Sequence, residues 1–373
     1  MVQVARKTKL FANHSKTQAN CITEIQKKYL VYKLKPFEPD NGSSVASVLE
    51  RMSTQVSFQG RNLGLAFNAW RQALSEKTIL SFGLAGAMVP AGMRKTIVCL
   101  IKNRLIDVIV STGANLFHDT CETLGLPHYL GTPLVNDVEL CRGKINRIYD
   151  VYTRDTDLNR ADEYIAKFAA ELENRPYPTA EFFYRLGEKL SKTTSEEGIL
   201  TAASQSGVPV YCPSVADSSI GITLVSKFYT DLIYKQDGKS GFIFDVLSDV
   251  SDLGRLVAAA PQSGIIFVSG GVPKNFIQQS EITAELMGLG KPGHKYAIQF
   301  TSDAPHWGGL SGCTFEEGQS WGKIASDCKK VIVFCDATIA LPLMVTGLAE
   351  VKAGAKRPWK PQFKIGREVQ FTF

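Results

Sequence analysis

The stretch GIIFVSGGVPKNFI, residues 264–277, is the clearest guide to the fold. Its first part, GIIFVSG (264–270), is a short apolar run, which is typical of a strand buried on both faces of a sheet. A glycine turn then leads into a segment with helical periodicity at 272–288. A buried strand followed by a turn and a helix predicts one unit of a parallel α/β sheet.

The same unit recurs on both sides of this stretch. Further strands are predicted at 78–82, 106–112, 208–212, 242–246, 295–301 and 329–335. Helices are predicted at 43–55, 60–76, 88–104, 160–173, 178–194, 218–235 and 314–328. This alternation indicates an α/β fold with a doubly wound, mostly parallel sheet and helices on both faces. We expect three parts: an irregular N-terminal arm (1–42), a single large α/β domain (43–354) and a C-terminal tail (355–373).

Composition excludes several classes of protein. Of 373 residues, 44% are hydrophobic and 21% are charged, which is ordinary for a globular chain and excludes disorder or a small disulfide scaffold. The net charge of +6 is thinly spread and gives no nucleic-acid signature. No apolar run is long enough for a membrane span, and no secretory signal is recognisable. The eight cysteines form no CxxC pair, so we expect reduced thiols in a cytoplasmic protein.

Small and polar residues follow six of the predicted strands. The segments are GLAGAM (83–88), GANLFHD (113–119), PSVADSS (213–219), GVPKN (271–275), SDAPHWGGLSG (302–312) and DATIALP (336–342). In open α/β sheets, ligands bind outside the carboxyl ends of the strands, where helix N-termini favour phosphate. Together these loops predict a nucleotide-sized crevice. Asp217, Asp303 and Asp336 each follow a strand, where an aspartate either caps a helix or contacts a ligand.

Three local motifs fail as cofactor or metal signatures. Gly288, Gly290 and Gly293 match GxGxxG, but they follow a helix and precede a strand, the reverse of a dinucleotide fingerprint. A helix C-cap and a turn account for them better. The Gly322-Lys323 pair lacks the spacing and the hydroxyl of a phosphate loop, so ATP hydrolysis is unsupported. The HxxC of residues 118–121 has no second ligand pair, so no metal site is predicted.

The segment TFEEGQSWGKI, residues 314–324, contains the most reactive candidate. If it continues the predicted helix 314–328, Glu316, Gln319 and Lys323 lie on one face. A lysine desolvated beside Trp321 loses its charge more easily, and a neutral amine can attack an imine carbon. The alternative is that Lys323 is an ordinary surface lysine beside a tryptophan that packs. From the chemistry of these residues alone, this alternative stays open and is favoured over a reactive lysine.

At SWGK (320–323) the chain resembles the deoxyhypusine synthases. The similarity extends over roughly residues 45–350 and is carried by SGGVPKNFI (269–277), YAIQFTSDAPHWGGLSG (296–312), VFCDATIALPLMV (333–345), VSTGANLFHD (110–119) and VPVYCPSVADSSIG (208–221). The resemblance implies a Rossmann-like fold, NAD as cofactor and a homotetramer with active sites at a dimer interface. It also implies removal of a hydride from spermidine, then transfer of the aminobutyl group through a lysine imine to an acceptor amine.

The resemblance also assigns residues. Lys323 corresponds to the imine-forming catalytic lysine, Trp321 to the tryptophan along the polyamine channel, and Glu317 to a carboxylate facing the polyamine. The positions that correspond to NAD-lining residues are Thr112, Gly113, Asp217, Ser219, Gly270, Gly271, Ser311, Asp336 and Ala337.

The chain departs from the family pattern at four places. Asn275 stands where the family has its catalytic histidine, and Ile222 stands where an aspartate grips a polyamine amine. Gly86 and Ala87 replace a Ser-Asn pair, and Trp307 replaces an aspartate near the cofactor. Asn275 and Ile222 therefore remain substrate-contacting positions with changed chemistry, which implies a different donor, acceptor or both.

Several functions stay open at this point. We expect transfer to a small amine such as putrescine, giving homospermidine, ahead of transfer to a lysine of a translation factor. A non-catalytic NAD-binding relative is an alternative, which the two lost side chains favour and the retained SWGK disfavours. A hydrolase of a guanidino or amide compound is a weaker alternative that lacks a clear nucleophile.

Overall fold

The computed structural model describes residues 22–225, 242–290 and 293–372. Its strands are β1 (Thr78–Leu84), β2 (Val108–Ser111), β3 (Tyr129–Leu130), β4 (Ile145–Ile148), β5 (Val151–Arg154), β6 (Pro176–Tyr177), β7 (Val210–Tyr211), β8 (Ile243–Phe244), β9 (Gln262–Val268), β10 (His294–Thr301), β11 (Ile324–Phe334), β12 (Gln362–Ile365) and β13 (Val369–Thr372). Its labelled helices are α1 (Val45–Gln55), α2 (Phe58–Ser75), α3 (Arg94–Lys102), α4 (Gly113–Thr123), α5 (Asp137–Arg142), α6 (Asp155–Ala170), α7 (Thr179–Thr193), α8 (Ile199–Ser206), α9 (Ser219–Leu224), α10 (Val246–Ala259), α11 (Gly271–Leu286), α12 (Phe315–Ser320) and α13 (Ala337–Glu350).

Six of the described strands form one parallel sheet. Their order is β11-β10-β9-β1-β2-β7, and every neighbouring pair is parallel. The chain winds outward from β1 to β7 on one side and from β9 to β11 on the other, so the order reverses between β1 and β9. This is a doubly wound, Rossmann-like sheet, and the predicted fold class is confirmed.

The strands are buried on both faces because alternate side chains enter two different cores. Ile79 packs in the core that contains Leu256 of α10 and Ile277 of α11. Its neighbour Leu80 packs in the core that contains Trp70 of α2. Successive strand side chains point to opposite faces, so a continuous apolar run is what a sheet covered by helices on both faces requires.

The predicted strand 242–246 is wrong as a member of this sheet. Its described part, β8, pairs with β6 in a separate two-stranded ribbon. Phe242 stacks on Tyr177 at 5.4 Å between ring centroids, and Phe244 meets the ring of Phe182 at 5.0 Å. The apolar character of the run therefore serves an aromatic cluster against α7, and Asp245 ends it by capping α10 through Ser248 N at 3.0 Å.

The predicted helix 314–328 is also wrong in its second half. Helix α12 ends at Ser320, and β11 begins at Ile324. Gly322 has φ +72°, a left-handed conformation that closes a helix, and Lys323 N donates to Gly318 O at 3.1 Å. The polar run SDCKK after Ile324 belongs to the edge strand β11, where polar residues are tolerated.

The ends of the chain differ from the expected arm and tail. The described part of the arm contains an exposed helix over 22–29 and is therefore not irregular throughout. Residues 355–373 contain an antiparallel hairpin, β12 and β13, whose Val369 and Phe363 pack in the second core. Arg357 just before the hairpin is buried against Asp107.

Two further regions differ in extent from what the sequence predicts. The antiparallel sheet β3-β5-β4, within residues 129–154, was not predicted. Of the predicted helix 218–235, only α9 and Val225 can be compared, since 226–241 lie outside the described residues. In the part of the chain that the structure describes, no helix combines the length and apolarity needed to cross a bilayer.

Candidate active site

The loops that follow the six parallel strands lie at one edge of the sheet, as the sequence predicted. The first connection joins the loops after β1 and β2. Asn115 donates from Nδ2 to Gly86 O at 2.7 Å and accepts from Val89 N at 3.1 Å through Oδ1. Asn115 is buried, and its place in the first turn of α4 makes it a clamp between the two loops. This role was not predicted from the sequence.

Glycines allow the neighbouring loops to approach closely. A Cβ at Gly113 would lie 2.5 Å from Ser218 Oγ, so the start of α4 touches the loop after β7. A Cβ at Gly270 would lie 2.5 Å from Ser311 Cα, so the loops after β9 and β10 also meet. Gly271 N donates to Ser311 Oγ at 3.1 Å across the same contact. The predicted cofactor residues Gly113, Gly270, Gly271 and Ser311 thus line one continuous edge.

A buried lysine holds the loops after β9 and β10 in place. Lys274 Nζ donates to Gln299 Oε1 at 2.9 Å and also to Cys313 O. Gln299 Nε2 donates in turn to Ser269 O and Ser311 O, at 2.7 and 2.8 Å. Burial lowers the pKa of Lys274 to about 8. This network was not predicted from the sequence. The glutamine inside the apolar strand YAIQFT could have indicated it, because a buried polar side chain requires hydrogen-bond partners.

The predicted catalytic lysine lies in the turn between α12 and β11. Lys323 Nζ donates to Asn275 Oδ1 at 3.3 Å and lies 5.7 Å from the centre of the Trp321 ring. Lys323 is partly buried, whereas Trp321 is 67% exposed. The turn and the first helical turns of α11 therefore bring Lys323, Trp321 and Asn275 together.

The carboxylate Glu317 belongs to the same group. The pKa of the Cys313 thiol is raised chiefly by burial and further by a hydrogen bond to Glu317, while Lys274 and Lys323 oppose the shift. Cys313 is therefore within electrostatic reach of Glu317 and of both lysines. Glu317 is exposed on α12, where a carboxylate is free to meet a cation from solvent.

Two residues expected beside Lys323 face a different lysine. Glu316 Oε1 accepts from Lys330 Nζ at 3.0 Å, and Gln319 Oε1 accepts from the same ammonium at 2.6 Å. The prediction that Glu316, Gln319 and Lys323 share a helix face is wrong, because the helix ends before Lys323. The carboxylate that belongs to the group around Lys323 is Glu317 instead.

The predicted residues after β7 lie on another part of the edge. Asp217 is exposed, and its backbone N–H donates to Ser214 O at 3.0 Å. Ser219 begins α9, and Ile222 on the same helix is 68% exposed. Helix α9 packs against α4 and α6, whereas Lys323 contacts α11. The structure thus places Ile222 and Lys323 in different parts of one chain.

The start of α13 lines a large cavity. Asp336 Oδ1 accepts from Thr338 N at 2.7 Å and caps the helix, which leaves its other oxygen available. Asp336 and Thr338 line a cavity of about 540 Å³ together with Ala87, Glu122 and His128. Ala337 is buried behind Asp336. A cavity of this size suits a small-molecule ligand.

The histidine of the HxxC motif has a partner that the sequence did not reveal. His118 Nδ1 lies 2.9 Å from His128 Nε2, and His128 Nδ1 lies 2.8 Å from Glu122 Oε1. Burial, and then the neighbouring His128, lowers the pKa of His118 to about 4. His118 is therefore neutral near pH 7 and belongs to a hydrogen-bonded chain that reaches the cavity wall.

This edge fits a dinucleotide such as NAD. Helices α4 and α11 both begin here, and their N-cap residues, Thr112 and Gly270, supply no side-chain cap to the backbone N–H groups. Such groups bind phosphate, and the missing Cβ atoms leave the backbone accessible. The crevice also coincides with the reversal of strand order between β1 and β9, where ligands bind in doubly wound sheets.

Comparisons with known proteins agree with this architecture. The family model described as deoxyhypusine synthase matches residues 47–348. A protein from Methanosarcina mazei named "Probable deoxyhypusine synthase 2" is 47% identical over 316 residues, which cover 84% of this chain and 89% of that protein. A protein of the same name from Archaeoglobus fulgidus is 46% identical over 299 residues, covering 80% of this chain and 96% of the relative.

A solved structure supports the fold. The crystal structure titled "putative deoxyhypusine synthase" from Entamoeba histolytica superposes with a TM-score of 0.56 at 17% identity. It covers 86% of this chain and 98% of the other. The family match over most of the chain and the close relatives lead to one conclusion: this chain belongs to the deoxyhypusine synthase family, whose members are NAD-dependent aminobutyl transferases.

Proposed function

We propose that this protein transfers an aminobutyl group from spermidine or a similar polyamine to an acceptor amine through an imine on Lys323. The observation that carries the proposal is the position of Lys323 Nζ, 3.3 Å from Asn275 Oδ1 and over the exposed Trp321 ring. The proposed reaction needs a nucleophilic amine and a dinucleotide cofactor, and the structure offers a candidate for the amine together with a crevice suited to a dinucleotide.

NAD would lie along the carboxyl edge of the sheet and, when bound, would accept a hydride from the polyamine and return the same hydride to the final imine. The residues that would hold it are Thr112, Gly113, Asp217, Ser219, Gly270, Gly271, Ser311, Asp336 and Ala337. Support comes from the N-termini of α4 and α11 and from the glycine contacts that bring the backbones together.

The chain's own residues would divide the remaining work. The Lys323 amine attacks the imine carbon of the oxidised polyamine, the shorter diamine leaves, and the aminobutyl group stays on Lys323 as an imine. Trp321 offers a flat apolar surface to the methylene chain and a ring face to an ammonium. Glu317 offers a carboxylate to the distal ammonium.

We favour a small acceptor, putrescine, which would give homospermidine; a protein lysine is the second candidate. The support is the changed chemistry at Asn275 and Ile222. An amide at 275 is not a general base at neutral pH, and an exposed isoleucine at 222 does not bind an ammonium. Polyamine recognition must therefore differ from that of a family member with histidine and aspartate at these places.

We further propose a cytoplasmic homotetramer with active sites shared between two copies. Large apolar side chains are exposed in the segments that follow β10 and β11, among them Trp307 and Ile339. Exposed apolar side chains of this size are typical of a protein interface. The separation of Ile222 from Lys323 within one chain also favours a site completed by a second copy. The described cysteines are free thiols, which suits a reducing compartment.

The decisive experiment traps the imine. The protein is incubated with NAD and spermidine, with and without putrescine, and reduced with borohydride before intact-mass measurement and peptide mapping. We expect an aminobutyl adduct on Lys323 that disappears with putrescine as homospermidine forms. An adduct that persists with putrescine would indicate an acceptor other than putrescine, of which a protein lysine is one case, and no adduct would contradict the proposal.

Matched variants make the result specific. Lys323→Ala should lose the adduct and at least about 10³-fold of the transfer rate while it keeps NAD binding. Lys330→Ala is the control, since Lys330 lies on β11, the strand that follows Lys323, and pairs with Glu316. Full turnover by Lys323→Ala would contradict the lysine mechanism.

A further inference from the structure

Three titratable side chains near the carboxyl edge form a hydrogen-bonded row that has no part in the transfer steps proposed above. Glu122 Oε1 lies 2.8 Å from His128 Nδ1, and His128 Nε2 lies 2.9 Å from His118 Nδ1. His118 and Glu122 lie one turn apart on α4, and His128 lies in the connection that follows this helix. Glu122 and His128 also line the cavity of about 540 Å³ at the start of α13. The row therefore has one end, Glu122, at this cavity.

The partners determine which ring nitrogen carries a proton. An ionised carboxylate only accepts hydrogen bonds, so His128 Nδ1 donates to Glu122. A neutral imidazole has one N–H group, so His128 Nε2 accepts from the Nδ1–H of His118. Burial, and then the neighbouring His128, lowers the pKa of His118 to about 4, so this ring is neutral near pH 7. Its other nitrogen, Nε2, therefore carries a lone pair.

This lone pair is available to a ligand. His118 Nε2 has no hydrogen-bond partner among the described residues, and it is not one of their buried unpaired atoms. In a helix, side chains lean toward the N-terminus, and residues four apart share a face. His118 therefore lies over Ala114, an exposed residue in the first turn of α4. That turn begins at Gly113, so the imidazole lies at the end of α4 that borders the proposed cofactor crevice.

The proposed reaction needs a base at this crevice. An alkyl amine is protonated near neutral pH, as an unperturbed lysine with a pKa near 10.4 shows. A hydride leaves the carbon beside the nitrogen only when the nitrogen has a lone pair to form the C=N bond, so a proton must first be removed. Asn275 is an amide and cannot take it, and Lys323 is needed as the nucleophile.

We propose that His118, His128 and Glu122 form a proton relay in which His118 is the base that deprotonates the donor polyamine. His118 Nε2 takes the proton from the amine nitrogen, and the Nδ1 proton of His118 passes to His128 Nε2. The Nδ1 proton of His128 passes to Glu122, which releases it to solvent through the cavity. The C–H electron pair leaves as the hydride, and the nitrogen lone pair forms the C=N bond.

The same row is restored when the hydride returns. Reduction of the final imine gives an amine that takes up one proton, and a proton that moves along the row from Glu122 to His118 re-forms the starting tautomers. Arg94 Nη1 lies 3.7 Å from Glu122 Oε2, so the carboxylate that begins and ends the cycle faces a permanent positive charge. This role of the relay rests on the proposed aminobutyl transfer.

Formation of NADH from NAD and spermidine, followed by absorbance, tests the relay. His118→Ala should lower kcat by roughly 10²- to 10⁴-fold, the usual contribution of a general base, while calorimetry shows unchanged NAD affinity. Added imidazole should restore part of the rate, and 4-methylimidazole, a stronger base, should restore more. Pyrazole, a ring of the same size that is far less basic, should restore none. Equal rescue by pyrazole would show that the ring only fills space and would overturn the proposal.

The other members of the row have their own variants. Glu122→Gln keeps the shape and removes the proton acceptor, and should lower kcat about tenfold or more; Glu122→Asp should recover part of this loss. Glu139→Gln, the same change on an exposed residue of α5, is the control and should leave the rate unchanged. A Glu122→Gln variant with the wild-type kcat would contradict the relay.

The outcomes separate the relay from the proposed function. If His118→Ala does not fold, His118→Gln fills the space without a base and should show the same fall in kcat. Wild-type NADH formation by whichever variant folds would overturn the relay and leave the transfer through Lys323 intact. Absence of NADH formation by the wild-type protein would overturn the proposed function and the role of the relay with it.

Discussion

Asn275 accepts a hydrogen bond from Lys323 through its side-chain oxygen, with 3.3 Å between Oδ1 and Nζ. This contact lies at the position where the family resemblance places a histidine, so an amide replaces an imidazole directly beside the proposed nucleophile. An amide can orient the lysine ammonium, but it cannot exchange a proton with it near neutral pH. The chemistry of proton transfer at this point should therefore differ from that of family members with histidine.

Asn275→His should introduce a titratable base next to Lys323. An unperturbed imidazole has a pKa near 6.5, and a positioned general base contributes roughly 10²–10⁴-fold to a proton-transfer step. We expect kcat/KM for spermidine cleavage to rise about tenfold above pH 7 and to fall below about pH 6.5. The pH profile of NADH formation measures this. Asn275→Gln is the control, and matching profiles of the two variants would contradict a role for the imidazole.

Gly270→Ala should impair the cofactor crevice selectively. The added methyl group would lie 2.5 Å from the Cα of Ser311, so the backbones of two loops must separate. Overpacking of this kind costs about 1–3 kcal/mol, and we expect NAD affinity to fall roughly 5- to 140-fold. Calorimetric titration with NAD measures the change. Gly290→Ala is the matched control, since a Cβ there meets no atom of the described residues within 4 Å; equal NAD affinity for both variants would argue against the crevice.

The gathering of these loops at the carboxyl edge was predictable because its signals are local. Each loop follows an apolar strand, and parallel strands bring all such loops to one edge whatever their order. The contact between Gly270 and Ser311 illustrates the limit, since nothing in the sequence says that β9 and β10 are neighbours. The resemblance to a known family, not periodicity, supplied the roles of Lys323 and Trp321.

The errors have physical causes of the same kind. The run 242–246 is as apolar as a central strand, but its phenylalanines pack with Tyr177 and Phe182, far away in the chain. Helix α12 stops at Ser320 because Gly322 adopts φ +72°. Glycine permits this conformation, but the presence of a glycine in the sequence does not predict it. Tertiary contacts and backbone conformation determine the structure of both segments, and the periodicity of apolar residues along the sequence does not report on either.

Lys274 should make stability depend on pH in a defined window. Burial lowers its pKa to about 8, whereas an unfolded lysine titrates near 10.4. Between these values the unfolded chain holds more protons, so the free energy of unfolding should rise with pH. Between pH 7.5 and 9.5 we expect a gain of about 2 kcal/mol relative to Lys274→Met.

Urea unfolding of wild type and Lys274→Met across this range measures the difference. Lys330→Met is the control, because it removes a lysine from β11 that pairs with Glu316 near the surface. A wild-type curve parallel to that of Lys274→Met would show that the buried ammonium does not titrate in this window.

Arg357→Ala should be strongly destabilising, although Arg357 lies in the segment that the sequence suggested was a tail. Its guanidinium donates to both oxygens of Asp107, at 2.7 and 2.6 Å, and to Thr78 O at 2.6 Å. Asp107 Oδ2 also accepts from Leu80 N at 2.9 Å, so the pair fixes the start of β2 against β1. Both residues are fully or almost fully buried.

Removing one partner of a buried ion pair costs about 3–5 kcal/mol, and Arg104 Nη2, which lies 3.6 Å from Asp107 Oδ1, compensates only part of the charge that Arg357→Ala would leave. We therefore expect Arg357→Ala to lower the free energy of unfolding by that amount in urea titrations, and truncation before 357 to do at least the same. Arg367→Ala, an exposed change in the turn of the hairpin, should alter it by less than about 0.5 kcal/mol. Because the pair joins the C-terminal segment to β1 and the start of β2, an equal effect of Arg357→Ala and Arg367→Ala would mean that the hairpin, not the buried charge, supplies the stability.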